Sequence, residues 1–371
     1  MEREIFKIDW ILFSSVSLLL IFSVLAIYSS STFYAEYKFG EYDIFFWNHL
    51  RNVVLSFTLM IVLSFVDYNK WIKISTILLF VSLFLLILVL FIGTTIKGAA
   101  RWINLGFLNF QPSELAKFSL ILYISKILSE REQLKDEPIF ILLPALFWIT
   151  TFCFFIVIQP NFSTSMFIFI ISIALLFIGK IKFKYLLRTS LIFMFVGSIF
   201  AATESYRLKR ILGFFAFLNN YEAKSNLTYQ TSQALIAIGN GGIFGLGIGK
   251  TQQSKLFLPE SYGDYIFSII AEEYGFIGAV FVILLLLLVL VRMYRIAKKS
   301  PTSFAFFFSA GTFLSIATFT IVNSFVNIGF LPSTGLPMPF ISYGGSALVI
   351  NCISIGILQN IYRNITTQKY E

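Results

Sequence analysis

Histidine is nearly missing from this chain: His49 is the only one among 371 residues, and cysteine occurs just twice, at Cys153 and Cys352. With a single imidazole, histidine-activated nucleophiles and His-rich metal clusters are excluded. Both thiols lie inside apolar runs, which reads as buried, inert cysteine and supports neither a disulfide framework nor a zinc site. Charge is scarce too. Charged residues make up 13% of the chain, against roughly a quarter in soluble domains. With 57% hydrophobic residues and a mean hydropathy of +0.83, most of the surface must face lipid. The formal net charge of +9 does not mark a nucleic-acid binder, because the basic residues are dispersed in short loops. Membrane orientation accounts for that distribution.

What is abundant is apolar sequence, including 45 phenylalanines. At about 20 residues per bilayer crossing, the chain divides into about ten spans, at 10–29, 47–66, 72–93, 113–128, 139–158, 162–179, 185–202, 265–291, 304–326 and 340–362. Asp9-Trp10 opens a run too long for a cleavable signal, so the first run is expected to be retained. Pro160 predicts a hairpin between the fifth and sixth spans. The expectation is an all-α integral membrane protein, one domain over 1–371, with a large loop over 203–263 between helices 7 and 8. Lys180, Lys182, Lys184 and Arg188 follow the sixth span, and Arg292, Arg295, Lys298 and Lys299 follow the eighth. The positive-inside rule puts these loops and both termini in the cytoplasm. The loops over 36–43, 97–101, 203–263 and 331–339 then face outward.

The polar sequence collects on that outer side. Gly98-Ala99-Ala100-Arg101-Trp102 leads to Gln111-Pro112-Ser113-Glu114-Leu115-Ala116-Lys117. Ser113 is expected to cap a helix, and Glu114 and Lys117, three apart, share a helical face. A structural ion pair is the favoured reading of those two charges. Arg101 fits lipid headgroups or a pyrophosphate equally well, since guanidinium suits bidentate phosphate contacts. The long loop opens with Tyr206-Arg207-Leu208-Lys209-Arg210, where positive charge runs against the usual loop bias. Anion binding and solvated or headgroup-facing charge stay open there. The glycine run over 238–249 reads as a close-packed turn or, with less support, a phosphate nest.

Leu258-Pro259-Glu260-Ser261-Tyr262-Gly263-Asp264 carries two acids at the return to the membrane. Asp264 reads either as a dipole-favoured helix start or as a functional carboxylate. Glu272 and Glu273 are expected to hydrogen-bond inside the bundle. The proline-rich 331–346 stretch, with Ser342 and Gly344, reads as a packing motif.

Together these segments resemble the SEDS family of peptidoglycan glycosyltransferases (FtsW/RodA/SpoVE). The specific parts are 98–102 with 111–117, Gln159-Pro160, 239–249, 258–267 and 337–346. The resemblance implies a ten-span fold and polymerisation of lipid II on the outer face of the bacterial cytoplasmic membrane. It also implies partnership with a class B penicillin-binding protein and other divisome or elongasome membrane proteins. By position, Asp264 matches the family's essential aspartate, and Glu114 and Lys117 its paired membrane charges. Arg101 matches its loop arginine, and Arg207 and Arg210 resemble the basic start of its large loop. Glu260, Ser342 and Gly344 take supporting places. The spacing over 245–260 favours the FtsW-like, cell-division branch, although the short N-terminus is more RodA-like. Tyr262-Gly263 departs from the usual His-Thr, Asn161 from a common aspartate, and Ala347 from a frequent serine.

The expected chemistry is glycosyl transfer, with Asp264 as general base or, alternatively, as a ligand of a divalent cation (Mg or Mn). Arg101, Lys117, Arg207 and Arg210 would offset the leaving pyrophosphate. Two rivals stand beside it. A flippase would route lipid-linked precursor past Glu114, Lys117, Glu272 and Glu273, and a noncatalytic division scaffold would assemble and support growth normally with Asp264→Asn.

Overall fold

The computed structural model describes residues 7–96, 99–106, 109–131, 139–203, 213–214, 226–255 and 257–367. Ten helices stand where the ten apolar runs predict them: α1 Trp10–Phe39, α2 Ile44–Ser64, α3 Asn69–Ile92, α4 Pro112–Glu130, α5 Ile139–Ile158, α6 Phe162–Ile178, α7 Phe183–Thr203, α9 Ile266–Lys298, α10 Ser303–Asn327 and α11 Gly345–Thr367. An eleventh, α8 Asn226–Gly241, lies within the long loop. Seven helices (α1, α2, α3, α5, α9, α10 and α11) are long and apolar enough to cross a membrane on their own composition. The architecture is therefore an all-α multi-pass membrane protein.

Three departures from the sequence expectation matter. In the stretch expected as loop before α4, β1 Thr94–Ile96, β2 Ala99–Asn104 and β3 Asn109–Phe110 form a small antiparallel sheet in the order β1-β2-β3. The last helix starts at Gly345, not 340, because residues 331–344 form an irregular segment in which Pro332, Pro337 and Pro339 supply no amide hydrogens. Ser113 is not a cap: Gln111 holds the N-cap position, Pro112 occupies the first turn, and the Ser113 hydroxyl has no partner.

α1 runs ten residues past its expected end; Ser29, Ser30, Ser31 and Ala35 are buried there, while Glu36–Phe39 are exposed. Ser261 Oγ donates to the Ser30 carbonyl (3.1 Å), Gly249 N donates to Ser29 Oγ (3.0 Å), and the Tyr34 ring packs against Tyr262 at a tilt of 42°. α9 is also overlong, and it breaks at Gly275 (φ 68°, ψ −167°). Counting about 20 residues back from Arg292 reaches Glu272, so the first turns of α9 and Asp264 before them stand beyond the hydrocarbon core. At the opposite end Asp9 caps α1 through Leu12 N and pairs with Arg292 at 2.6 Å. Gln359 on α11 closes the same junction by exchanging hydrogen bonds with the Asp9 backbone.

Candidate functional site

The Asp264 turn is built from its backbone outward. Glu260 adopts a left-handed conformation (φ 63°), and its carbonyl accepts from Gly263 N (2.9 Å) and Tyr265 N (3.3 Å). A Cβ on Gly263 would stand 3.2 Å from the Glu260 carboxylate, so glycine here leaves that carboxylate room. Tyr265, not Asp264, is the N-cap of α9. Asp264 therefore lies outside the helix proper and is half-buried. Its Oδ2 is 3.7 Å from the place a Cβ would occupy on Gly335 (φ 75°), so the carboxylate abuts the 331–344 segment.

That segment is held on several sides. Asn323 donates from one amide nitrogen to the carbonyls of Asp264 (2.8 Å) and Leu336 (2.9 Å). Met338 N donates to Ser342 Oγ (2.7 Å), which gives Ser342 its supporting role. Tyr343 N donates to the Tyr262 carbonyl (3.0 Å). Ser346 Oγ accepts from Gln111 N (2.8 Å) and donates to the Asn109 carbonyl (3.0 Å), tying the sheet to α11. Gly344 faces Pro337 and Ala347 at ordinary contact distance, and its carbonyl opens α11 by accepting from Leu348 N (2.9 Å).

Two residues beyond Gly335, Pro337 enters the wall of a narrow cleft, which Lys117, Ser315, Phe319, Ser342 and Asn351 also line. A second narrow space shares Lys117, Ser315 and Asn351 and adds Thr312 and Ser354. Lys117 thus lines both. Its Nζ is 2.7 Å from Glu114 Oε2 and 4.1 Å from the centre of the Phe319 ring. Both charged side chains are buried, so the pairing expected from their spacing is realised. A buried pair of this kind is costly to break from either side.

Tyr262, where the resemblance anticipates histidine, enters an aromatic cluster. Its ring centre is 4.7 Å from Phe45, 5.5 Å from Tyr34 and 5.7 Å from Tyr343. Burial pushes the Tyr262 hydroxyl well above the usual tyrosine range, and the Glu260 carboxylate adds to the shift. Burial raises the Tyr343 hydroxyl as well, with Arg51 opposing. Neither phenol ionises near neutral pH, so the cluster offers packing and hydrogen bonds, not charge.

The remaining expected residues divide clearly. Arg101 donates through Nε to the Gln159 carbonyl (3.0 Å) and through an amino group to that of Pro160. These bonds fasten β2 to the α5–α6 turn. Arg207 and Arg210 lie outside the described residues. The glycine run packs tightly against the break in α9: Leu246 N and Gly247 N donate to the carbonyls of Glu272 (2.9 Å) and Glu273 (3.0 Å), and Phe276 N returns a bond to Gly242 (2.9 Å). The two carboxylates hold the following residues. Glu272 accepts from Gln252 N (3.2 Å), Gln253 N (3.3 Å) and Thr251, and Glu273 accepts from Gly249 N (3.1 Å) and Ser29. Glu272 and Glu273 do hydrogen-bond within the bundle, as their placement suggests. Among the described residues, no group of three or more His, Cys, Asp or Glu side chains could hold a metal ion.

Sequence reasoning missed Asn323 and Asn327. Their signal was present: two amides one helical turn apart in an otherwise apolar span, where polar side chains must find partners.

Fold and site define a polytopic membrane protein whose polar groups gather between one end of the bundle and a buried cleft. Residues 9–367 match the FtsW/RodA/SpoVE family model, described as "Cell cycle protein", and the chain belongs to this family. It is 34% identical over 361 residues to "Probable peptidoglycan glycosyltransferase FtsW" of Geobacter sp. (strain M18), covering 97% of this chain and 98% of the relative. It is 33% identical over 359 residues to "Stage V sporulation protein E" of Bacillus subtilis (strain 168), covering 96% and 97%. Among solved structures, it is similar to Thermus thermophilus rod shape determining protein RodA, with a TM-score of 0.68, 26% identity, and 97% and 98% of the two chains covered. A chain from "Structural coordination of polymerization and crosslinking by a peptidoglycan synthase complex" aligns with a TM-score of 0.78 and 25% identity, covering 97% and 99%.

Proposed function

We propose that this chain is an FtsW-like peptidoglycan glycosyltransferase of the cytoplasmic membrane that polymerises lipid II into glycan strands. The family match over nearly the whole chain supports the activity, and the Asp264 turn is the observation that carries the mechanism. The carboxylate stands beside Gly335, at the start of the segment whose Pro337 lines the Lys117 cleft. A sugar hydroxyl entering between them would lose its proton to Asp264 as it attacks the anomeric carbon of the donor. The bond to the polyprenyl pyrophosphate then breaks, and cationic groups offset the charge of the leaving group. Lys117 is the cation placed in the cleft. Arg207 and Arg210 keep that role by position along the chain. Arg101 serves first to fasten β2, with phosphate binding as its second role.

The charge bias of the loops supports a cytoplasmic location for both termini and an outward-facing Asp264. The relative seen in a peptidoglycan synthase complex supports a class B penicillin-binding protein as partner, with other division-site membrane proteins around it. A divalent cation finds no cluster of His, Cys, Asp or Glu among the described residues, so no step is assigned to one. Labelled lipid II presented to the purified full chain with its transpeptidase partner tests the reading. Glycan strands are expected, whereas movement of lipid II between leaflets without strands would favour a flippase, and neither product a scaffold.

A further inference from the structure

The amides of α10 reach the proposed catalytic turn in a way the reaction scheme above does not use. Asn323 and Asn327 are essentially fully buried. Asn327 has its orientation fixed from outside: Ser268 N (3.0 Å) and Ser268 Oγ (2.7 Å) both donate to its Oδ1. Its nitrogen must therefore face the other way, where it donates to the Asp264 carbonyl (2.9 Å) and the Asn323 carbonyl (2.9 Å). It also approaches Asn323 Oδ1 (3.2 Å), which sets the second amide. Asn323 then directs one hydrogen to the carbonyl of Asp264 and the other to that of Leu336. Only a group with two donor hydrogens on one atom can join these two acceptors at once.

We infer that Asn323 is a positioning residue for the transfer reaction, holding the Asp264 backbone and the Gly335–Leu336 stretch that leads into the cleft wall in one register, with Asn327 as its orienting partner. This rests on the proposed role of Asp264. The carboxylate abuts Gly335, two residues before Pro337 in the cleft wall, so the separation between base and bound acceptor depends on how these two loops sit together. No continuous secondary structure fixes that distance; the shared amide sets it at Asp264 itself, and the Tyr343 N bond to the Tyr262 carbonyl ties the same two segments farther along. A base displaced by about 1 Å can lose on the order of a hundredfold in rate, while sugar and lipid contacts elsewhere in the cleft stay as they are.

The test compares Asn323→Asp, Asn323→Gln and Asp264→Asn in the purified full chain with its partner, measuring kcat and KM for lipid II and the melting temperature. Asn323→Asp keeps the shape but replaces both donor hydrogens with an acceptor facing two carbonyls. Its kcat should fall about tenfold to a hundredfold, with KM within about twofold because ground-state binding is untouched. Asn323→Gln, which keeps the amide, should recover part of that loss. A folded Asn323→Asp variant with unchanged kcat overturns the inference, and so does a raised KM at constant kcat. If Asn323→Asp does not fold, Asn323→Gln and Asn323→Ser decide in its place: the single hydroxyl donor of serine should give the lower kcat of the two, and equal wild-type kcat overturns the inference. Full activity of Asp264→Asn would instead remove the reading of Asp264 itself, so the two failures are distinguishable.

Discussion

Gly245 and Gly275 lie backbone against backbone: a Cβ on Gly275 would overlap the main-chain nitrogen of Gly245, and one on Gly245 the carbonyl of Glu273. The break in α9 and the glycine run of the long loop are therefore one structural feature. Gly275 also holds φ 68° and ψ −167°, a region closed to side chains. Gly275→Ala should cost about 1–3 kcal/mol in backbone strain and a similar amount in overpacking. The expected result is a lower melting temperature of the purified protein and reduced polymer yield. An alanine variant with unchanged stability would mean that loop and helix do not interlock this way.

Lys117 and Glu114 call for a paired test. Removing one partner strands a buried charge, so Lys117→Met or Glu114→Gln alone should destabilise by about 3–5 kcal/mol. The double replacement should regain most of that stability. Activity should not return with it if Lys117 offsets pyrophosphate charge. Recovery of both stability and polymerisation would assign the pair a purely structural role.

Arg101 distinguishes fastening from phosphate binding. Its bonds to the Gln159 and Pro160 carbonyls are charge-assisted, worth about 1.5–3 kcal/mol each. Arg101→Ala should lower thermal stability, with kcat and KM per folded molecule changing little. A KM for lipid II raised tenfold in a protein of unchanged stability would reverse that ranking.

Tyr262 and Tyr343 set an alkaline limit on stability. Both hydroxyls are raised by burial, so the folded state binds their protons more tightly than the unfolded state does. Their stabilisation is complete below the ordinary tyrosine value of about 10 and is lost as pH rises beyond it. Tyr262→Phe keeps the ring packing and should flatten that alkaline decline, measured as melting temperature against pH. An unchanged slope would show that these phenols do not control it.

The ten helices over the apolar runs were legible in the sequence because a bilayer favours long apolar stretches, and seven of them meet its length and apolarity on their own. The ends of α1 and α9 were not. Those extensions carry charged residues such as Glu36, Lys38, Arg295 and Lys298, which a count of apolar residues per bilayer crossing leaves out. The Glu114–Lys117 pair was legible because helical spacing fixes neighbours on one face. Asn323 and Asn327 carry a signal as paired amides in an apolar span, but their shared partner, the Asp264 carbonyl 59 and 63 residues away, is not legible in the sequence. Arg101 was legible as an important cation, but its carbonyl partners on the α5–α6 turn carry no sequence signal. The small sheet around it was equally hidden, since strands of two to six residues leave little periodicity.

The most direct test of the central claim is Asp264→Asn in the purified full chain with its transpeptidase partner, assayed for glycan strands from labelled lipid II. Asparagine preserves size and the backbone contacts to Asn323 and Asn327 but cannot accept a proton as a carboxylate does. The expected result is a folded protein of near-normal melting temperature that makes no strands. Undiminished polymerisation by that variant would contradict the account.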